Sequence, residues 1–164
     1  MRTLLLAAVA SAVTFASLTT EASPSWSTPV AGCKVTAHTT AHPPTIDARY
    51  GEVDFTGTDT GTITLVCRVT NAGSPGSLNL TYNNSGPSFC TLNASLNFHS
   101  LTGPTSGSIS SVTATNGFGA NSLGSSSATV STPLDFSLNF YWVAVTMSRT
   151  GTVSACSANT TWLN

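Results

Sequence analysis

The side chains able to do chemistry are few, and most of the acids lie together. Asp47, Glu52, Asp54 and Asp59 fall in one short stretch, and only Glu21 and Asp135 lie elsewhere. Grouped carboxylates offer hard oxygens to Ca²⁺, although this spacing is not that of an EF-hand loop. Glu52 and Asp54 share a face if residues 50–55 form a strand, and paired carboxylates are also the tools of a glycosidase. Without a ligand, the stretch reads as a solvated loop with Arg49 as counter-ion. Asp59-Thr60-Gly61 spells the triplet of aspartic proteases, which works as a twin of buried carboxyls. Here Thr56-Gly57-Thr58 precedes it and no second copy exists, so it reads as a β-turn. His38 and His42 have the spacing of a helical metal pair, but Pro43-Pro44 opposes a helix there. No nucleophile elbow, phosphate loop or dinucleotide fingerprint is present. The expectation is a protein that is not an enzyme and has no cofactor, calcium being the one candidate.

The aromatic residues offer a different chemistry. Trp26, Tyr50, Tyr82, Tyr141, Trp142 and Trp162 are candidate platforms for stacking on sugar rings. Trp142, Tyr141 and Tyr82 are the residues singled out for ligand binding. Trp142 falls on the more polar face of its segment, although a Trp in so apolar a strand is core more often than platform. Asn79, Asn83, Asn93 and Asn159 stand in Asn-x-Ser/Thr sequons, which matter only where a glycosylation system exists.

Cys33, Cys67, Cys90 and Cys156 are expected to form two disulfides. Three pairings are possible; Cys33–Cys67 with Cys90–Cys156 is preferred. No two cysteines have the spacing of a zinc knuckle. Export is implied by the first residues: Arg2 precedes the apolar run Leu4–Val13, a signal-peptide pattern too short to span a bilayer. Residues 1–22 are read as that peptide, with cleavage after Ala22 or, second, after Ala16. Val30-Ala31-Gly32-Cys33 also resembles a lipobox, but polar residues separate it from the apolar run, and lipidation of Cys33 would leave three cysteines. Only 7% of residues are charged and the net charge is −1, so neither nucleic acid nor an anionic membrane is an expected partner. No transmembrane segment is expected. Localisation is therefore secreted, or at the extracellular or periplasmic surface.

These residues need elements to hold them. The longest apolar run of the mature chain is Leu134–Arg149. Leu134, Phe136, Leu138 and Phe140 alternate with polar residues, as in a half-buried strand. The phase then flips, so that Tyr141, Val143, Val145 and Met147 share a face. A β-bulge near Asn139–Tyr141, or a strand that changes sheets there, is the expected cause, and the ribbon is the candidate central strand. Gly61–Asn71 alternates with Ile63, Leu65, Cys67 and Val69 inward. Thr91–His99 puts Leu92, Ala94, Leu96 and Phe98 inward and His99 outward. Cys33–Ala37, with Cys33, Val35 and Ala37 inward, residues 50–55, Leu78–Tyr82, Ile109–Thr115, Ala128–Thr132 and Val153–Cys156 complete eight or nine short strands. Residues 23–32 read as an extended leader with Trp26 exposed, and Asn116–Ser127 as a Gly/Ser/Asn loop. The fold class is all-β: a single antiparallel β-sandwich over residues 33–164, of immunoglobulin-like or jelly-roll size, with almost no helix.

Cys33, the pair Tyr50-Gly51 and the strand Gly61-Thr62-Ile63-Thr64-Leu65-Val66-Cys67 together resemble the spore-coat U type of secreted bacterial domain. That resemblance implies a β-sandwich subunit of a surface fibre or coat, assembled by donating an N-terminal strand to a neighbour. Ser23–Gly32 departs from it by lacking the alternating apolar residues of a donor strand. The remainder, with the strand ending FYWVAVTMSR, is similar to uncharacterised exported bacterial proteins. The functional expectation is a non-catalytic cell-surface or extracellular structural or interaction protein, its partner either another copy of itself or a surface glycan or protein. The alternative is a carbohydrate-binding β-sandwich module, stabilised by calcium.

Overall fold

Two antiparallel sheets face each other across one apolar core. The computed structural model describes residues 26–70, 72–114, 117 and 123–164. The signal-peptide assignment lies outside these residues. The five-stranded sheet runs β2 (Lys34–His38), β5 (Gly61–Arg68), β10 (Asn139–Arg149), β7 (Cys90–Ser100), β8 (Ser106–Thr113). The six-stranded sheet runs β3 (Thr45–Asp47), β4 (Glu52–Asp54), β11 (Cys156–Leu163), β6 (Ser77–Asn84), β9 (Gly124–Thr129), with β1 (Trp26–Pro29) also paired to β11. The sole helical element among the described residues is a 3₁₀ turn, Val30–Gly32.

Strict alternation made these strands. β10 lies in the middle of its sheet, with Tyr141, Val143, Val145 and Met147 in the core. Its neighbours repeat the pattern, with Val143 opposite Cys67 on β5 and Leu96 on β7. The opposing sheet contributes Leu78, Leu80 and Tyr82 of β6 and Ala158 and Leu163 of β11. Burying a side chain of this size contributes about 1.5–3 kcal/mol. Both disulfides form in the preferred pairing. Cys33–Cys67 fastens the start of edge strand β2 to β5, and Cys90–Cys156 crosses from β7 to β11, joining the two sheets.

Several expectations are corrected. The ribbon Leu134–Arg149 is not one strand with a bulge: Phe136–Leu138 is a turn. The Asp135 carboxylate accepts hydrogen bonds from the Ser137 N–H and hydroxyl (2.9 and 2.6 Å), and the Asp135 carbonyl accepts from the Asn139 N–H (3.0 Å). An Asp that caps its own turn competes with strand pairing, and it leaves Leu138 and Phe140 exposed rather than inward. Trp26 is only 8% exposed, because β1 lies along β11 with Trp26 opposite Leu163. Ala37 is exposed, past a register shift in β2. The Ser-rich stretch Gly124–Thr129 is strand β9, held by the β6 ladder although it has little to bury.

Gly51 shows why the Tyr50-Gly51 pair needs a glycine. It turns β3 into β4 at φ +70°, and a Cβ there would sit 2.8 Å from Pro29 Cβ. Its carbonyl accepts the Ala31 N–H at 3.0 Å.

Candidate functional site

Of the three aromatic residues singled out for ligand binding, Trp142 alone reaches an outer surface. Tyr82 is fully buried, with its hydroxyl 3.1 Å from Ser126 Oγ. Tyr141 is buried too: its hydroxyl accepts the Asp135 N–H (2.9 Å) and the Asn139 amide (3.1 Å), tying down the turn before β10. Both follow from the inward phase of their strands, and neither can serve as an open platform. Trp142 has the opposite phase. It stands half-buried on the outer face of the five-stranded sheet, between Arg68 of β5 and Asn97 of β7 in the register.

Phe140, two residues earlier and on the same face, stacks on Trp142 with ring centroids 5.8 Å apart and planes 26° from parallel. It is 37% exposed. The Arg68 guanidinium lies over the other part of this surface, 5.6 Å from the Phe140 centroid, a cation–π distance. His99 is Phe140's register partner on β7. The result is a strip of Arg68, Phe140 and Trp142 bordered by amide, hydroxyl and imidazole side chains. Sequence reading missed Arg68 and Phe140. The signal for Arg68 was present in the outward phase of β5; that for Phe140 was hidden by the unrecognised turn.

Beside the strip an open cleft of about 390 Å³ runs along the end of the sheet. Arg68, Val69 and Thr70 form one wall, Phe136, Asn139 and Phe140 the other, with Leu101 at the end. A second hollow, of about 310 Å³, lies across Asn139 and is lined by Tyr141, Phe98 and Asp135 among others. The Asp135 carboxyl is held below the ordinary carboxylate range by the hydrogen bonds from Ser137.

The acids do not converge. Asp59 accepts the His42 backbone N–H (2.8 Å) and lies 3.1 Å from His42 Nδ1, and the backbone bond first of all lowers its pKa. Asp47 accepts the Arg49 N–H at 2.9 Å. Asp54 accepts the Phe55 N–H at 2.6 Å, and burial nevertheless raises its pKa. Glu52 shares its face across β4 and faces Asp47 in the register. Among the described residues no group of three or more His, Cys, Asp or Glu side chains is placed to hold a metal ion. His38 Nδ1 is 3.0 Å from Thr40 Oγ1, whose hydroxyl donates to the His42 carbonyl at 2.6 Å, while the His42 ring turns to Asp59. The β-turn expected at Asp59-Thr60-Gly61 lies just before it, closed by the Asp59 N–H on the Thr56 carbonyl (3.1 Å), and Gly61 already opens β5; the Arg149 guanidinium, only 4% exposed, donates to the carbonyls of Asp59 and Gly57. Three of the four sequon asparagines, Asn79, Asn83 and Asn159, are buried and closed to a glycan in the folded domain. Asn93 is half-buried and donates to Thr113 Oγ1 at 3.0 Å.

No family model and no curated protein matches this chain. Among solved structures, a mutant of a carbohydrate binding module of family 29 is similar over 81% of this chain and 77% of its own, with 12% identity and a TM-score of 0.33. So distant a likeness assigns this chain nothing. The two disulfides are those of a chain that folds in an oxidising compartment. Among the described residues no helix is long and apolar enough to cross a membrane.

Proposed function

We propose that this is an exported, non-catalytic binding protein that takes a surface or extracellular glycan on the outer face of its five-stranded sheet. One observation carries the reading: Arg68, Phe140 and Trp142 form a continuous strip on a solvent face, beside a cleft large enough for a sugar ring or two. Sugars present flat C–H faces that stack on aromatic rings and hydroxyls that need donors and acceptors at the edges. The strip supplies the first, and Asn97, Asn139, Thr70 and His99 the second. A rigid central strand holds both rings, so little ordering cost falls on binding. Self-assembly has less support. Trp26–Pro29 already pairs with β11 of its own chain, and so does not stand free for donation.

The test is titration with a panel of soluble neutral and acidic polysaccharides, followed by calorimetry and tryptophan fluorescence. At least one should bind, and Trp142→Ala should weaken that binding about tenfold or more while the circular dichroism spectrum is kept. A panel without a single binder, or a Trp142→Ala variant that is folded and binds normally, would overturn the proposal.

A further inference from the structure

We infer that the ligand of this strip is an anionic glycan, whose carboxylate or sulfate oxygens are met by the Arg68 guanidinium. The inference rests on the glycan-binding reading and adds the substrate class. Its first support is that Arg68 is exposed and, among the described residues, has no carboxylate within ion-pair distance. Among the described residues the one ion pair is His42–Asp59, next to the Gly61 end of β5, whereas Arg68 and Trp142 lie at its other end. The guanidinium is held by its position over Phe140, so its donors are arranged in advance. A planar fork of N–H donors matches a carboxylate or sulfate in bidentate geometry, and such charge-assisted bonds are about twice as strong as neutral ones.

The second support is the charge of the whole sheet. Strands β2, β5, β7, β8 and β10 contain no Asp or Glu, and their ionisable residues on or beside the outer face are Lys34, Arg68 and His99. Asp47, Glu52 and Asp54 all lie on β3 and β4 of the other sheet. In a chain with net charge −1, this segregation leaves one face with positive charge and no counter-charge of its own. The nearest acid along the chain to the strip, Asp135, keeps its charge, but its carboxylate is hydrogen-bonded to Ser137 in the turn before β10 and makes no ion pair with Arg68. A neutral glycan could take only hydroxyl hydrogen bonds from this guanidinium; an acidic one would also be drawn to its charge and oriented by its fork of donors.

The experiment compares four probes against the full chain with its disulfides intact: oligogalacturonate, its fully methyl-esterified form, a sulfated galactan and the unsulfated galactan. Calorimetry should show each acidic probe that binds to be about tenfold or more tighter than its neutral counterpart, with an affinity that falls as salt is raised. Which acidic probe binds distinguishes carboxylate from sulfate. Arg68→Met keeps an unbranched stem over Phe140 and removes the charge. It should abolish the preference, bringing the acidic and neutral members of each pair to within about twofold of each other whatever it does to binding as a whole. Arg68→Lys, a point charge without the fork, should recover only part of the preference. Equal affinity for acidic and neutral members of each pair would overturn this inference and leave the glycan reading standing. So would an Arg68→Met variant that weakens both equally, since Arg68 would then only support the rings. Failure of all four probes together with the wider panel would overturn both readings.

Discussion

On the five-stranded sheet, the positions turned away from the core carry Phe140 and Trp142, with Arg68, at the surface. On the six-stranded sheet the corresponding positions carry Asn79, Asn83 and Ser157, and these are buried. The usual arrangement of a sheet with one wet face, apolar inward and polar outward, is broken on the five-stranded sheet by two outward aromatic rings, and on the six-stranded sheet by an outward polar row that is not wet. Ser157 lies between Asp54 of β4 and Asn83 of β6 in the register. It is fully buried, and its hydroxyl finds no hydrogen-bond partner among the described residues. An unpaired buried hydroxyl costs about 1–3 kcal/mol. The comparison teaches that the polarity of an outward side chain does not reveal whether it meets solvent. It also separates roles: the aromatic strip is free to engage a ligand, whereas the Asn/Ser row is committed within the protein.

The largest expected effect concerns the bond that holds the two sheets, and with them the two faces, in place. Replacing Cys90 and Cys156 together by Ala should lower the free energy of unfolding by up to about 4 kcal/mol in the chain-entropy model, measured in urea. If the aromatic face is built locally by β10 and its neighbours, glycan affinity below the melting transition should not change. A parallel loss of affinity would show that the face depends on the other sheet.

Next comes a matched pair of enlargements. Ser157→Leu, on the closed face, should destabilise by about 1–3 kcal/mol, because a packed site must shift to accept it. Ala144→Leu, on the outer face of β10, should stay within about 0.5 kcal/mol. Equal effects in thermal melts would erase the distinction between the faces. The smallest effect concerns Asp54. Burial, and less so Glu52, raises its pKa, so the neutral acid is the form that the fold favours. Its contribution is fully present below the ordinary carboxyl range and is lost as pH rises through the raised value. Asp54→Asn keeps an acceptor for the Phe55 N–H, and should slightly raise the melting temperature at pH 7 with no such gain in acid. Asp59, lowered by the His42 bond, runs the other way: its contribution is present at neutral pH and lost on acidification.

Much of the fold was legible because inward and outward positions alternate in sequence. β5 and β7 could be read residue by residue, down to Cys67 facing the core. What escaped depended on partners far along the chain. Trp26, among Ser, Thr and Pro, gives no local sign of burial; Leu163 supplies it. Strand β9 has only Ala128 as an apolar residue of any size and exists because β6 pairs with it. Arg149 continues the inward phase of Met147, yet a charged residue at a strand end reads as solvated until the carbonyls of Gly57 and Asp59 are brought to it. The site suffered most from one error of turn chemistry. With Asp135–Leu138 read as strand, Phe140 fell inward, and the pair that it forms with Trp142 could not be seen.

The Cys90–Cys156 bridge has a mechanical consequence. A long polymer held on the strip would pull on β10, and the β10 ladder passes that pull to β7. Cys90 opens β7 and Cys156 opens β11, so the load crosses to the second layer through a covalent link. Sliding one layer over the other, the easy failure of two sheets joined by apolar contact alone, is blocked at that point. A domain tugged by its ligand would instead yield by unzipping edge strands, and on the five-stranded layer β2 is itself clasped to β5 by Cys33–Cys67, leaving β8 as the seam that opens first.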